Sequence, residues 1–215
     1  MKKNSKKFCS LLLSFSLLLG LCLSAEARSN CANTETTILS EFTDENTREI
    51  SYDEMISNIA QNRNITIEEA KAIFPNEATN PQTKASITYK YVESRRVFTV
   101  TNEYKPRVYF YIYMGYDSTG KPVGMSRVVD YALDRTNTLN NSIKSKQFSG
   151  DLFVELLNAK ELYYRVSGDF YDNGTMTYSG GVSIGLGESS SMNFGLSGGT
   201  NHYKYCFFTE TSRIV

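Results

Sequence analysis

The stretch ELYYRVSGDFYDNGTMTYSGGVSIGLGESSSMNFGLSGG, residues 161–199, alternates apolar side chains with small or polar ones over most of its length. A period of two places successive side chains on opposite faces of a β-strand. The predicted apolar face carries Leu162, Tyr164, Val166, Phe170, Met176, Tyr178, Val182, Ile184, Leu186, Met192, Phe194 and Leu196. Such a face is typical of an antiparallel sheet that covers a core on one side.

Turn residues in this stretch predict a meander of three strands. A three-residue loop at 172–174 pairs the segment 162–170 with 176–184 so that apolar residues face apolar residues. A second turn around Ser189 then pairs 182–186 with 192–196. A slip of one residue in either hairpin would place apolar residues opposite polar ones, and therefore these registers are the predicted ones.

A second predicted hairpin spans residues 107–130, with a loop at 117–120. In this register the apolar residues Val108, Ile112 and Met114 share one face, which is a candidate for the core. Arg107 lies opposite Asp130 on the other face, where a pair of opposite charges would stabilise the two strands.

Tyr109, Tyr111 and Tyr113 lie on the polar face of that hairpin, and we call them the tyrosine stripe. The chain contains 15 tyrosines and no tryptophan. A tyrosine ring combines a large apolar area with a polar tip, which suits the binding of glycan or protein surfaces. Burial of both sheet faces, or the general preference of tyrosine for strands, would explain the stripe equally well. The stripe is the candidate binding site.

The residues from 87 to 215 are predicted to form one antiparallel β domain, a β-sandwich or open barrel, because short runs rich in Tyr, Val, Phe and Thr alternate with turn residues. Before it we expect a flexible leader over 28–49, a helical hairpin over 50–75 and a linker over 76–86. The fold class is therefore mainly all-β, with a small helical appendage.

Two capping patterns predict the helical hairpin. Ser51 and Glu54, and then Thr66 and Glu69, have the spacing at which a hydroxyl and a carboxylate satisfy the first backbone N–H groups of a helix. Apolar residues follow Ser51 at helical spacing. Pro75 is expected to end the second helix.

The segment NIAQNRNITIEEAKAIFPN, residues 58–76, is similar to the helical half of LysM modules. These modules bind polymers of N-acetylglucosamine, and the resemblance implies that ligand class. It covers fewer than 20 of the 215 residues. The paired strands of that family are not evident in the sequence, and Ser51-Tyr52-Asp53 stands where the family has Gly-Asp before the first helix.

Residues 1–27 have the features of a signal peptide: lysines, then an apolar run from Phe8 to Leu23, and then Ala25-Glu26-Ala27. We expect cleavage after Ala27 and a secreted, extracellular product. A lipid anchor at Cys22 is the alternative, although Leu21 is large for that role. Cleavage removes four lysines and one glutamate, which leaves 19 basic and 22 acidic residues and a net charge of −3. Such a balance does not favour nucleic-acid binding.

Two cysteines remain after cleavage, Cys31 and Cys206. An oxidising compartment would allow them to form a disulfide. Two free thiols are the alternative.

Little in the sequence indicates an enzyme, a cofactor or a metal site. The single histidine, His202, would lie about 13 Å from Cys206 on one strand, too far for a nucleophile and its base. The carboxylate pairs Asp169/Asp172 and Asp130/Asp134 could serve a glycosidase, but turn formation and a partner at Arg107 explain them as well. We expect no catalytic residue.

The predicted function is non-catalytic binding at or outside the cell surface, through the tyrosine stripe or the loops, to an unknown glycan or protein. The alternative is a secreted toxin or bacteriocin-like protein that acts on membranes through the hairpin 176–197. The alternation over 176–186 meets the ~9–11 residues that a spanning strand needs. The return segment 192–196 is shorter, which favours a role in the core.

Overall fold

The structure is a computed structural model that describes residues 37–43, 45–77, 87–139 and 142–215. The predicted signal peptide 1–27, Cys31 and residues 78–86 of the predicted linker lie outside the described residues.

Eleven strands and two helices follow one another in the described residues. Their order is β1 (Ile38–Glu41), β2 (Thr47–Ile50), α1 (Tyr52–Arg63), α2 (Ile67–Ile73), β3 (Thr88–Val97), β4 (Arg107–Tyr116), β5 (Pro122–Asp134), β6 (Thr136–Leu139), β7 (Ser142–Ser145), β8 (Gln147–Asn158), β9 (Glu161–Gly180), β10 (Ile184–Gly185) and β11 (Ser189–Arg213).

The strands form two main sheets that are not closed into a barrel. One has five antiparallel strands in the order β10-β5-β4-β3-β2. The other has the order β1-β11-β8-β9, with β9 and β11 also paired, and it is mixed because β1 runs parallel to β11. Strands β6 and β7 pair separately. The predicted mainly β fold is confirmed, and its two sheets are consistent with a β-sandwich.

The main core lies between the two sheets. The five-stranded sheet contributes the alternating residues of β4, Val108, Phe110, Ile112 and Met114, all buried as the predicted hairpin face requires. The four-stranded sheet contributes buried residues of β8 and β9, among them Leu152 and Tyr164. The rings of Phe110 and Tyr164 meet edge to face across the interface, 5.2 Å between centroids.

The helical hairpin forms a third layer on the other face of the five-stranded sheet. Ser51 accepts from the backbone N–H of Glu54, and Thr66 with Glu69 forms a complete capping box, as the sequence predicts. Met55, Ile56 and Ile59 of α1 are buried against the sheet. The strands β2 and β3 stand before and after the two helices in the chain, and they pair antiparallel. This pairing was not evident from the sequence alone.

The segment 28–49 is not a leader throughout. Residues 38–41 form β1, which pairs in parallel with the end of β11, and residues 47–50 form β2 at the edge of the five-stranded sheet. Both strands are only four residues long, too short for a periodic apolar pattern, so that sheet pairing rather than the local sequence orders them. The polar connection 134–147 likewise contains β6 and β7.

The predicted meander over 161–199 is wrong in its turns. Strand β9 continues through 172–174 and pairs along its length with β11, so that Phe170 lies opposite Lys204 and Tyr178 opposite Phe194. The sequence predicted correctly which residues of β9 face the core, but it predicted the wrong partner for the strand. The sequence pattern paired each segment only with the segment that follows it directly. It could not reveal this pairing, because the chain turns back after β9 has ended, and β11 then runs along the whole of β9.

The connection between β9 and β11 crosses to the other sheet. Ile184 lies in β10, pairs with Val128 of β5 and is 2% exposed. Val182 and Leu186 are 62% and 55% exposed, and neither pairs with β11 as expected. Only Ile184 of these three predicted core residues is in the core.

Ile184→Ala is expected to lower the free energy of unfolding by about 2–3 kcal/mol, because it removes buried methyl groups from the core. The value lies at the lower end for such changes because a two-residue edge strand can relax around the gap. Val182→Ala, two residues away and exposed, should stay within about 0.5 kcal/mol. Denaturant unfolding of both variants measures the difference; equal stabilities would contradict this placement of Ile184.

The hairpin of β4 and β5 is present, with a different register. The loop covers 117–121 and irregularities shift the pairing along the strands, so that Arg107 lies opposite Asp134 and Asp130 opposite Tyr111. The predicted pairing of Arg107 with Asp130 is therefore wrong. Arg107 lies 3.7 Å from Asp134, while Asp130 binds Arg63 of α1. Bulges, which insert an extra residue in one strand, are the reason for the shift.

Candidate functional site

The tyrosine stripe lies on β4, on the face opposite the main core, and the helical hairpin covers most of it. Tyr111 and Tyr113 are 2% and 9% exposed. Tyr113 contacts the rings of Tyr89 and Tyr91 at 5.2 and 5.0 Å between centroids. Two of the three tyrosines, Tyr111 and Tyr113, are therefore buried. They belong to a second apolar cluster, which lies beneath α1 and α2.

The hydroxyl of Tyr111 is held at the boundary of this cluster. Asn62 Nδ2, at the end of α1, donates to it over 3.1 Å. Burial is the main cause that raises the pKa of Tyr111, and nearby Glu93 acts in the same direction. Tyr111 thus stays a neutral phenol, and it joins the helix to the sheet.

Tyr109 is only partly buried and lies where two cavities adjoin. The larger has a volume of about 550 Å³ and the smaller about 200 Å³, and Arg48, Glu93 and Tyr109 line both. We call the two together the Tyr109 cleft. Its larger part lies between the polar side of α1 and the ends of β4 and β5, and its smaller part reaches β2. The candidate binding site is thus reduced from the whole stripe to Tyr109, which stays partly exposed.

Hydrogen bonds and ion pairs hold several charged groups of the cleft. Arg48 lies 2.6 Å from Glu54 and 2.9 Å from Glu93, and the hydrogen bonds to these carboxylates raise the pKa of Arg48. Asn58 Nδ2 also donates to Glu93. At the far end, Arg135 donates to the backbone carbonyl of Lys146, and burial lowers the pKa of Arg135. This network fixes the walls of the cleft.

Asn58, Gln61 and Asn62 supply the amide groups of the cleft, and the sequence reasoning overlooked them. They stand at positions i, i+3 and i+4 of α1, a spacing that places them on one helix face. That polar stripe was the signal that could have identified them. Arg135 could not have been identified, because its position depends on the bulged register of β5.

Of the candidate acid–base or nucleophilic residues, Asp134 lines the larger cavity of the cleft, Asp130 is buried with Arg63, and Asp169, Asp172, His202 and Cys206 do not line the cleft. His202 Nε2 lies 2.7 Å from Asp169 Oδ1 in an exposed pair. Asp172 contacts Lys146, and Cys206 is buried in the main core. Within the described ranges, no three His, Cys, Asp or Glu side chains gather as metal ligands would.

A Cys31–Cys206 disulfide remains a prediction, because Cys31 lies outside the described residues. Ile38 pairs in parallel opposite Glu210. The seven residues from Cys31 to Ile38 can span up to about 23–25 Å, enough to reach Cys206. We expect unreduced protein to show no reactive thiol after denaturation, which thiol labelling with mass spectrometry measures. Labelling of both cysteines would contradict the disulfide.

The hairpin 176–197 that the membrane-active alternative needs is formed in part. Residues 176–180 pair with 192–196, and Met192 and Phe194 are buried in the main core. Insertion into a membrane would therefore require this hairpin to leave the core. Neither helix of the described part of the chain has the length and apolar character of a membrane span.

Comparisons of the chain with protein-family models, with curated proteins and with solved structures found no match. The similarity of residues 58–76 to LysM modules therefore remains a local resemblance.

Proposed function

We propose that the chain is a secreted, non-catalytic binding protein that acts at or outside the cell surface through the Tyr109 cleft. The observation that carries the proposal is the position of Tyr109: it is the tyrosine of the stripe that stays partly exposed, and it borders both cavities of the cleft. The larger cavity of the cleft, with a volume of about 550 Å³, lies within the ~300–1,000 Å³ of ligand sites. Secretion follows from the predicted signal peptide.

The wall of the cleft supports binding because it is held in place before a ligand arrives. Arg48 and Glu93 pair across β2 and β3, and Asn62 is tied to Tyr111. Polar groups whose orientation is already fixed lose little conformational entropy when a ligand binds, which favours affinity.

Retention of fluorescently labelled protein on intact cells tests the proposal. We expect binding to at least one cell type and a loss of at least tenfold in affinity for Tyr109→Ala, because the ring supplies apolar contact area. Tyr205→Ala is the matched control, since Tyr205 is 40% exposed on the other sheet. Equal losses for both variants, or no retention on any cell, would contradict the proposal.

A membrane-active protein is the second candidate function. It is supported by the exposed Val182 and Leu186, which flank β10 in the connection between β9 and β11. Dye release from liposomes by the purified protein would support it. If Val182→Asp and Leu186→Asp abolish that release while Tyr109→Ala does not, the hairpin is the active part and the cleft is not.

A further inference from the structure

The lining of the Tyr109 cleft is almost entirely polar. Among the residues that line the two cavities, Leu133 is the single apolar one besides the tyrosines. Sites for drug-like molecules are mostly apolar, and burying apolar ligand surface against polar groups leaves those groups unpaired at a cost in free energy. The cleft therefore suits a hydrophilic ligand rather than a lipid.

The formal charges of the cleft cancel. Its lining contains three acidic and three basic residues: Glu45, Glu93, Asp134, Arg48, Arg95 and Arg135. Arg48 binds Glu93, and Arg107 beside the cleft lies 3.7 Å from Asp134. An ionic ligand is attracted when a site carries a net charge of the opposite sign. A cleft without net charge favours a neutral ligand over an anion or a cation.

The uncharged groups of the lining include an aromatic ring and planar amide side chains. Tyr109 lies where the two cavities adjoin, and Gln61 and Asn62 border the larger one. An amide offers both donors and an acceptor, which match the hydroxyl groups of a sugar. The apolar C–H face of a sugar ring can pack on tyrosine, which combines apolar area with a polar tip.

From this lining, resting on the proposed function, we infer that the ligand of the Tyr109 cleft is a neutral oligosaccharide, with one sugar ring packed on Tyr109. The amides of α1 bind its hydroxyl groups. Because the two cavities share Tyr109, sugar residues on either side of the packed ring occupy one cavity each.

Binding of the full secreted chain to defined oligosaccharides tests this inference. The neutral probes are maltohexaose, cellohexaose, mannohexaose and chitohexaose, and the charged probe is polygalacturonate. Calorimetry or NMR titration measures their binding. We expect at least one neutral chain to bind and Tyr109→Ala to weaken it at least tenfold. Tyr205→Ala, on the other sheet, should bind as the unaltered chain does. Raising the salt concentration from 0.05 to 0.5 M should change the affinity less than twofold, because no ion pair forms.

Two results would overturn the inference. One is binding of polygalacturonate alone with a steep salt dependence, which would identify a charged ligand. The other is cell binding that depends on Tyr109, survives periodate oxidation of the surface glycans and disappears after protease treatment. That outcome would identify a protein partner and leave the proposed function standing, whereas no cell binding at all would remove the proposed function itself.

Discussion

Arg63→Met is expected to lower the free energy of unfolding by about 3–5 kcal/mol, because it leaves a buried carboxylate without its partner. Asp130 is fully buried, and Arg63 holds it with two hydrogen bonds, Nε to Oδ2 at 2.9 Å and Nη2 to Oδ1 at 2.5 Å. Arg63 also donates to the backbone carbonyl of Gly181 and lies over the ring of Phe74. One side chain thus joins both helices to β5 and to the connection before β10.

The loss should depend on pH in a defined direction. Burial raises the pKa of Asp130, and the hydrogen bonds from Arg63 oppose that effect. Without Arg63 the folded-state pKa of Asp130 rises further above the unfolded value of about 3.9. A carboxyl with a raised folded pKa destabilises the fold increasingly as the pH rises from the unfolded to the folded pKa. The deficit of Arg63→Met should therefore be smaller at pH 4 than at pH 7.

Denaturant unfolding at both pH values measures these effects. Lys71→Met is the matched control in the same helical hairpin, since Lys71 and Asp53 form an exposed pair at 3.4 Å that should contribute less than about 1 kcal/mol. The double variant Arg63→Met/Asp130→Leu should recover most of the stability, because it removes the buried charge as well. A loss no larger than that of Lys71→Met would show that this ion pair does not hold the layers together.

Gly168→Ala is expected to prevent stable folding, with a loss above about 5 kcal/mol, which is comparable to the whole stability of many domains. Gly168 of β9 lies directly opposite Gly150 of β8. A Cβ atom on Gly168 would lie 2.3 Å from the carbonyl oxygen of Ser149 and 2.7 Å from the Cα of Gly150. Both are backbone atoms, so no rotation of a side chain can relieve the collision.

The ring of Phe148 occupies the space that the two glycines leave. It would lie 2.8 Å from a Cβ at Gly168 and 2.9 Å from one at Gly150. Gly195→Ala, in the same sheet, is the matched control because its Cβ would meet only Thr177 Oγ1 at 3.2 Å. Expression yield, circular dichroism and denaturant unfolding compare the two variants. A Gly168→Ala protein as stable as Gly195→Ala would contradict the close approach of β8 and β9.

Local patterns in the sequence determined the type of most elements. The capping residues Ser51 and Thr66 defined both helices, because a cap satisfies backbone groups within three residues of itself. The alternation of apolar residues in β4 and β9 defined their buried faces, because the direction of a side chain on a strand depends only on its parity.

The pairing of the strands could not be obtained in the same way. The segment 172–174 has good turn residues, and only the return of β11 along β9 shows that the strand continues there. Pairing depends on contacts between residues far apart in sequence, and a local turn preference is too weak to oppose a long ladder of hydrogen bonds.

The candidate site shows the same division. The sequence by itself determined that Tyr109, Tyr111 and Tyr113 share one face of a strand. Only the tertiary structure decided that Met55 and Ile56 of α1 cover that face, leaving Tyr109 at its edge. It also decided that Asp130 binds Arg63 rather than Arg107. The physical reason is that an amphipathic helix and a sheet with two apolar faces each require a covering layer, but neither pattern specifies which surface provides it.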